Sequence, residues 1–274
     1  MAHAITHQIR YRFDGPTEAP VTLMLRLKPW SDGNIRCDRW TLATKPSPAD
    51  HTEVRETPFN NHADRLIVGA GTDRLTLTAT AHIDLTEDDR LSGLEADNIL
   101  LAPTRLVPDA AAFADLVSGI NEVEPFKAAC ELSRRINEHM RYDPAATSAD
   151  TDGATAFALG AGVCQDFAHI LIGSLRTLGI GARYVAGYRL PDTASRRSAG
   201  KPAQMHGWVA VSVAPGEWRM IDPTRDRRTT KDCVPVAWGA DYDDTRPVSF
   251  ALGSPLPIAM DDTIRATPLG MAVD

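Results

Sequence analysis

The stretch GAGVCQDFAHILIGSLRTLGIGARYVAGY, residues Gly160–Tyr188, decides the fold of this chain. Apolar residues recur at helical spacing after Cys164 and cease before Gly179, which predicts a helix over 164–178. The segment ARYVAGY that follows is rich in strand-forming residues and predicts a strand. The sequence therefore places a cysteine in the first turn of a helix, directly after a glycine-broken loop.

A cysteine in this position has the surroundings that a nucleophile needs. The amino end of a helix carries about half a unit of positive charge and unpaired N–H groups, and both favour a thiolate. The same N–H groups could hold the oxyanion of a tetrahedral intermediate. Gly160 and Gly162 are expected to let the backbone approach a substrate closely. On this pattern alone, a buried structural thiol remains an equal alternative for Cys164.

Candidates for a base and for an acid that orients it lie further along the chain. His206 opens a predicted strand after a polar loop over 191–205, and Asp222 closes the next strand. A carboxylate on the far nitrogen of an imidazole fixes its tautomer and stabilises imidazolium. His169 is nearer to Cys164 in sequence, but five residues along a helix amount to about 140° around its axis. We therefore interpret His169 as a packing or surface histidine.

The register of the predicted hairpin tests the pairing of His206 with Asp222. If residues 214–217 form a simple turn, the alternation of side chains puts Asp222 on the opposite face from His206. The two side chains meet only if the hairpin contains a bulge or a loop of odd length. We therefore predict an irregularity between Val213 and Arg219.

The composition limits the class of partner and the compartment. The 274 residues carry a formal net charge of −7, which disfavours nucleic acid or an anionic membrane as the main partner. The start lacks a basic segment followed by an apolar one, and no apolar run approaches the roughly 20 residues of a membrane span. We expect a cytoplasmic protein that acts on neither membranes nor nucleic acids.

The four cysteines are scattered, without the paired spacing of a zinc site. We expect no metal and a reducing compartment, where free thiols persist. Cys130 lies on the apolar stripe of a helix predicted for the segment EPFKAACELSRRINEHMRYD, residues 124–143, and is interpreted as a packing residue. Cys37 and Cys233 lack a helix-start context and are interpreted as packing or strand-surface residues.

The two halves of the chain have different periodicities. Up to about residue 90, the segments ITHQIRYRF, VTLMLRLKP and DRLTLTATAHIDL alternate as strands do. In RLIVGAGTDRLTL, the GTD turn between RLIV and RLTL predicts a hairpin. This half predicts an antiparallel β-sandwich. Helical periodicity begins after Pro108, so we divide the chain into domains 1–102 and 103–274. The second domain is predicted to be α+β, with VPVAW and PIAMDDTIRA as further strands.

Three blocks carry a resemblance to a known family. GVCQDFAHILIGSLRTLGIGARYVAGY, then HGWVAV, then WRMIDPT, resemble the bacterial transglutaminase-like cysteine protease family. The N-terminal β region also looks like the sandwich that precedes the core in this family. The resemblance implies a papain-like, transglutaminase-like α+β core with a Cys-His-Asp catalytic triad, carried here by Cys164, His206 and Asp222.

The resemblance also implies the chemistry. A thiol-dependent hydrolase of this kind would cleave peptide or isopeptide amides through a thioester, without a cofactor, on a peptide or protein substrate. Two alternatives stay open: a transglutaminase that transfers the acyl group to an amine, and a non-catalytic binding scaffold. Candidate oxyanion or pocket residues are Gln165, Tyr184, Tyr188 and Trp208, although core packing explains the two tyrosines equally well.

One block departs from the family pattern around the histidine. The family usually has SHAW, whereas this chain has QMHGW, with Met205 before His206 and Gly207 after it. Gly207 is expected to loosen the strand that aims His206, and Met205 to reshape the rim of the site. The departure bears on substrate preference rather than on the triad.

Overall fold

A computed structural model describes residues 2–31, 35–85, 90–92, 100–108, 110–121, 124–191, 203–228 and 232–269. Most of the loop predicted over 191–205 lies outside these ranges. The strands in the described residues are β1 (Ala2–Arg12), β2 (Val21–Leu25), β3 (Ile35–Lys45), β4 (Asp50–Glu56), β5 (Asn61–Val68), β6 (Arg74–Leu85), β7 (Arg90–Ser92), β8 (Arg141–Tyr142), β9 (Ala161–Gly162), β10 (Ala182–Arg189), β11 (Gln204–Ala214), β12 (Glu217–Asp222), β13 (Arg227–Arg228), β14 (Cys233–Gly239), β15 (Val248–Phe250) and β16 (Ala259–Pro268). The α-helices there are α1 (Ala114–Val117), α2 (Pro125–His139), α3 (Gly153–Leu159) and α4 (Cys164–Thr177).

Two antiparallel four-stranded sheets form the predicted sandwich. Their strand orders are β16-β1-β6-β3 and β15-β2-β5-β4. Alternate residues of β1 and β6 are buried. Ile9 and Leu77 pack with residues of the other sheet of the sandwich, whereas Ile5 and Ile83 pack with the α+β core. The alternation that predicted β1 and β6 therefore matches the buried faces of these strands, and the N-terminal sandwich is confirmed.

The hairpin predicted between β5 and β6 is wrong. β5 pairs with β2 and β4, whereas β6 pairs with β1 and β3. The segment 69–73 therefore crosses from one sheet to the other, and Gly71 adopts a φ of +83° in it. Two alternating strands joined by a short turn fit such a corner as well as a hairpin, so the local pattern did not separate the two arrangements.

The last two strands return to the sandwich. β16 pairs with β1 from His3↔Pro268 to Arg12↔Ala259, and β15 pairs with β2. Beyond β16, the Leu269 N–H donates to the Ala2 carbonyl at 2.8 Å. Strands that the sequence assigned to the second domain thus complete both sheets of the first. The boundary near residue 102 stays a prediction.

The second domain is an α+β core, as predicted. Its main sheet has the order β13-β12-β11-β10-β14, and β7 also pairs with β12. The helix α4 lies at the centre of the core, with every residue from Gln165 to Leu175 buried. It contacts α2, α3, β10 and β11, so its position is fixed from several sides. None of the helices among the described residues is long and apolar enough to cross a membrane.

Direct contacts join the sandwich to the core. The Asn61 side chain donates to the Trp238 carbonyl at 2.8 Å and accepts from the Trp238 N–H at 3.0 Å. Tyr188 Oη donates to the Leu27 carbonyl at 3.0 Å. These contacts are buried, so each group finds the partner that burial requires.

Candidate active site

Cys164 lies at the first position of α4, as the sequence predicted. The preceding Val163 is extended (φ −111°, ψ −177°), and its N–H donates to Asp166 Oδ2 at 2.7 Å. Thr147 Oγ1 donates to the same oxygen at 2.6 Å. Burial raises the pKa of Asp166, and these hydrogen bonds partly oppose the rise. Asp166 therefore anchors the start of the helix that presents Cys164.

The two glycines before Cys164 have structural reasons that differ from the predicted one. A Cβ atom on Gly162 would meet Asp166 Oδ2 at 2.5 Å, so a side chain there would displace the anchor of α4. Gly160 ends α3 in the left-handed region with φ +63°, a conformation that favours glycine. Local packing and helix termination thus explain both glycines, and the close approach of a substrate to this backbone stays a prediction.

His206 and Asp222 lie on neighbouring strands and contact each other. His206 Nε2 and Asp222 Oδ2 are 2.8 Å apart, and both side chains are buried. Asp222 Oδ1 accepts from the Thr224 N–H at 3.1 Å. From α2, Asn137 Nδ2 donates to the carbonyls of Pro223 and Thr224 at 3.1 and 3.0 Å. These hydrogen bonds fix the turn after β12. They therefore also fix the Asp222 carboxylate that contacts His206.

The predicted irregularity is present in this hairpin. The ladder pairs Ser212 with Trp218 and Ala214 with Glu217, and the register shifts between those pairs. The bulged residue is Val213, at the edge of the predicted interval. The shift gives Asp222 the same side-chain direction as Trp208 and hence as His206, which a regular register would not.

Cys164 and His206 interact electrostatically. Burial alone would lower the pKa of His206, but the bond to Asp222 and the nearby Cys164 outweigh it and raise the pKa to about 9. His206 Nδ1 is buried and has no hydrogen-bond partner among the residues that the structure describes. Because Asp222 occupies Nε2, Nδ1 is the nitrogen left for the thiol. Cys164 itself is partly exposed, so a substrate can reach it.

The four candidate pocket residues have different positions. Gln165 is buried, and its amide donates to the Ala149 carbonyl at 3.0 Å. Tyr188 ties the core to the sandwich, and Trp208 is fully buried with Nε1 donating to Met220 Sδ at 3.2 Å. Gln165 directly follows Cys164 in the chain, and Tyr184 also lies close to the nucleophile. Burial, followed by Cys164, raises the pKa of Tyr184. Tyr188 and Trp208 are therefore packing residues rather than parts of an open pocket.

Gly207 holds the space that Tyr184 uses. A Cβ atom on residue 207 would collide with Tyr184 Oη. The departure from the family pattern at Gly207 is thus coupled to the position of a tyrosine beside the site. The expectation that Gly207 loosens the strand is replaced by this close approach, which seats Tyr184.

Two further tyrosines, Tyr142 and Tyr242, lie near Cys164 and were not predicted from the sequence. Burial raises the pKa of Tyr142, and Cys164 and Asp222 add to the rise. The Tyr242 ring centroid lies 6.0 Å from that of Tyr184. Burial raises the pKa of Tyr242, and Cys164 adds to the rise while Arg246 opposes it. Both residues reach the site through tertiary contacts, and the local sequence gives no signal for such contacts.

His169 is a buried packing residue, as interpreted. Its Nε2 accepts from the Tyr242 N–H at 3.2 Å, and its ring centroid lies 5.2 Å from that of Tyr184. Burial lowers the pKa of His169 to about 3. A histidine held neutral and hydrogen-bonded in this way supports the site without facing the thiol.

One cluster within the described residues could supply three ligands to a cation. Glu53, His62 and Asp64 offer atoms within 4.8 Å of one another in the sandwich. However, His51 Nε2 already lies 2.7 Å from Asp64 Oδ1, and Lys28 Nζ lies 3.5 Å from His62 Nε2. These cationic or hydrogen-bonding neighbours compete for the same ligands, and the structure assigns no metal to the cluster.

Comparisons with known proteins agree with the two parts of the fold. Residues 114–223 match the transglutaminase-like superfamily, and residues 3–84 match the bacterial transglutaminase-like N-terminal region. An uncharacterized protein of Mycobacterium leprae is 30% identical over 171 residues, which cover 62% of this chain and 61% of that protein. An uncharacterized protein of Mycobacterium bovis is 27% identical, with 90% of this chain and 86% of that protein covered.

The fold also matches a solved structure. The crystal structure of a candidate cysteine protease from Cytophaga hutchinsonii superposes with a TM-score of 0.77 at 20% identity. The match covers 98% of this chain and 93% of that one. The two molecules therefore share both the sandwich and the core.

Proposed function

We propose that this chain, which joins a transglutaminase-like superfamily core to a bacterial transglutaminase-like N-terminal region, is a thiol-dependent hydrolase of peptide or isopeptide amides. The observation that carries the proposal is the bond between buried His206 and Asp222, with Cys164 next to the imidazole at a helix start. A scaffold would need none of these three residues in this arrangement.

The geometry supports a two-step acyl transfer. Cys164 Sγ attacks the carbonyl carbon of the amide as a thiolate, and imidazolium at His206 gives its Nδ1 proton to the leaving nitrogen. The C–N bond breaks, an amine departs and a thioester remains. Water then attacks the thioester, and His206 takes a proton from it. The C–S bond breaks, a carboxylic acid leaves and the thiolate–imidazolium pair is restored.

Each supporting group has a role in these steps. Asp222 holds Nε2, so that Nδ1 faces the thiol and imidazolium is stabilised. The Cys164 and Gln165 N–H groups at the start of α4 are the oxyanion donors that we propose. The Gln165 side chain donates one amide hydrogen to the Ala149 carbonyl, and its second amide hydrogen leaves its oxyanion role a prediction.

Alkylation of Cys164 tests the proposed pair. Iodoacetamide at pH 6, followed by peptide mass mapping, should modify Cys164 faster than Cys37. His206→Ala should slow the alkylation of Cys164 by about 10²-fold, because an unpaired thiol with a pKa near 8.5 is almost wholly protonated at that pH. Unchanged alkylation in His206→Ala would overturn the pair. His139→Ala, a histidine on α2 outside the proposed triad, is the matched control.

Turnover separates hydrolysis from amine transfer. Glutamine and lysine-isopeptide substrates are incubated with the protein and a labelled primary amine, and the products are identified by mass spectrometry. Free acid without amine incorporation supports the hydrolase. Incorporation of the amine would overturn the proposal in favour of a transglutaminase. If no substrate gives a product and Cys164 is alkylated slowly, the protein is a non-catalytic scaffold.

A further inference from the structure

A groove of about 620 Å³ lies where the sandwich meets the core. We call it the interdomain groove. Ile9 and Tyr11 of β1 form one wall, Met205 and Tyr242 of the core another, and the C-terminal segment 247–262 the third. Residues far apart in sequence thus enclose one space.

The walls of the interdomain groove are largely apolar. Leu256, Ile258 and Met260 are 67, 54 and 62% exposed there, although such side chains cluster at a surface mainly where a partner covers them. The rings of Tyr11 and Phe250 meet edge to face, 5.3 Å apart, behind them. The titratable side chains His7 and Asp262 contact each other at 2.7 Å. With that pair engaged, the groove favours an uncharged apolar group over an ion.

One end of the interdomain groove reaches the proposed site. Tyr242 lines the groove and packs on Tyr184, whose hydroxyl lies against Gly207, and both tyrosines lie near Cys164. Met205 lies on the same strand as His206, although the two side chains point to opposite faces of it. A peptide whose amide lies at Cys164 therefore has neighbouring residues within reach of the groove. Because the groove continues toward the proposed active site, we take its occupant to be part of the substrate rather than a second copy of the chain.

We infer that the interdomain groove binds a bulky apolar side chain, aliphatic or aromatic, that lies near the reacting amide of a peptide substrate. The inference rests on the proposed function and names its substrate class. It also gives the sandwich a part in recognition, since β1 and β16 supply wall residues.

Peptide profiling tests the inference. A positional library of hexapeptides carries Phe, Leu or Ser at each position in turn, and cleavage is followed by mass spectrometry. At one position, Phe and Leu should exceed Ser in kcat/KM by about tenfold or more, as burial of such a side chain implies. Ile258→Glu and Met260→Glu should bring that ratio close to one. Because each ratio compares two peptides on one variant, a loss of folded protein cancels.

A matched control separates the groove from the rest of the tail. Leu252 is an apolar residue of the same segment, fully exposed and outside the groove lining. Leu252→Glu should keep the wild-type ratio. An equal ratio for apolar and Ser peptides in the wild type, or a ratio that survives both groove variants, would overturn the inference. A wild-type dimer in sedimentation that Met260→Glu dissociates would also overturn it, because a second copy would then cover the groove.

Binding distinguishes failure of the groove from failure of the chemistry. The same peptides, fluorescently labelled, are titrated against Cys164→Ala. An apolar preference in binding that Ile258→Glu abolishes supports the groove even if the wild type cleaves nothing, and in that case only the proposed hydrolase fails. Equal binding of Phe and Ser peptides overturns the groove whatever the turnover.

Discussion

His206 and Asp222 share one face of the sheet because β11 carries an extra residue at Val213. A bulge is a local irregularity, but its effect extends along the strand to the end of the ladder, where both side chains lie. The relative placement of a proposed base and its acid thus depends on a hairpin turn several residues away.

Replacement of the orienting acid should weaken both the pair and the activity. Asp222→Ala removes the carboxylate that stabilises imidazolium, so we expect a lower pKa for His206 and a loss in kcat of at least about 10²-fold. The pH dependence of Cys164 alkylation and substrate turnover measure the two effects. Asp226→Ala is the control, since Asp226 lies in the same turn but bonds to Ser133. Equal losses in both variants would mean that the turn, and not the carboxylate, matters.

His206 should make stability depend on alkaline pH. Its folded pKa of about 9 lies above the unfolded value of about 6.5. Protonation therefore stabilises the folded state, fully below about pH 6.5, and this contribution disappears as the pH rises through about 9. Urea unfolding of wild type and His206→Gln should show a larger difference at pH 6 than at pH 9.5. A difference that is independent of pH would contradict the raised pKa.

His169 should make the protein sensitive to acid. Its folded pKa of about 3 lies below the unfolded value, so below about pH 6.5 only the unfolded chain binds the proton. This group therefore contributes a loss of at most about 1.4 kcal/mol of stability per pH unit between those values. His169→Gln should flatten the dependence of unfolding free energy on pH from 6 to 4. Unaltered slopes in wild type and variant would show that other groups dominate.

Gly207 and Tyr184 should be coupled energetically. Gly207→Ala places a methyl group where Tyr184 Oη lies, so we expect a destabilisation of about 1–3 kcal/mol, the usual cost of overpacking. In a Tyr184→Leu background the same substitution should cost less, because the outer part of the ring is gone. A double-mutant cycle by urea unfolding gives the coupling, and purely additive effects would refute the contact.

The sequence predicted individual elements better than their pairing. Strand β1 was predicted because its alternating apolar pattern matches its buried face. Helix α4 was predicted because apolar residues recur at helical spacing between Cys164 and Gly179, although the structure buries every residue from Gln165 to Leu175. The return of β15 and β16 to the sandwich was not predicted, since alternation shows that a strand has a buried face but not which strand lies beside it. The crossing at 69–73 was mistaken for a hairpin for the same reason.

For the site, the sequence identified residues at the ends of elements. Cys164, His206 and Asp222 combine reactive chemistry with a helix start or a strand end, and the structure brings the latter two together. Their catalytic roles stay predictions. Tyr142 and Tyr242 were missed because only tertiary contacts bring them near Cys164. For Tyr188 the sequence left pocket lining and core packing open, because a buried aromatic residue on a strand has the same pattern in both cases.

The pairing of β1 with β16 has a consequence for the order in which the protein assembles. β1 pairs with β16, and β2 with β15, across most of the described chain, so neither sheet of the sandwich is complete until those later strands reach it. Pairing across such a separation is intrinsically slow, and β1 and β2 keep open edges while they wait. One wall of the interdomain groove forms only with β16. The same strand therefore completes one sheet of the sandwich and one wall of the proposed substrate groove.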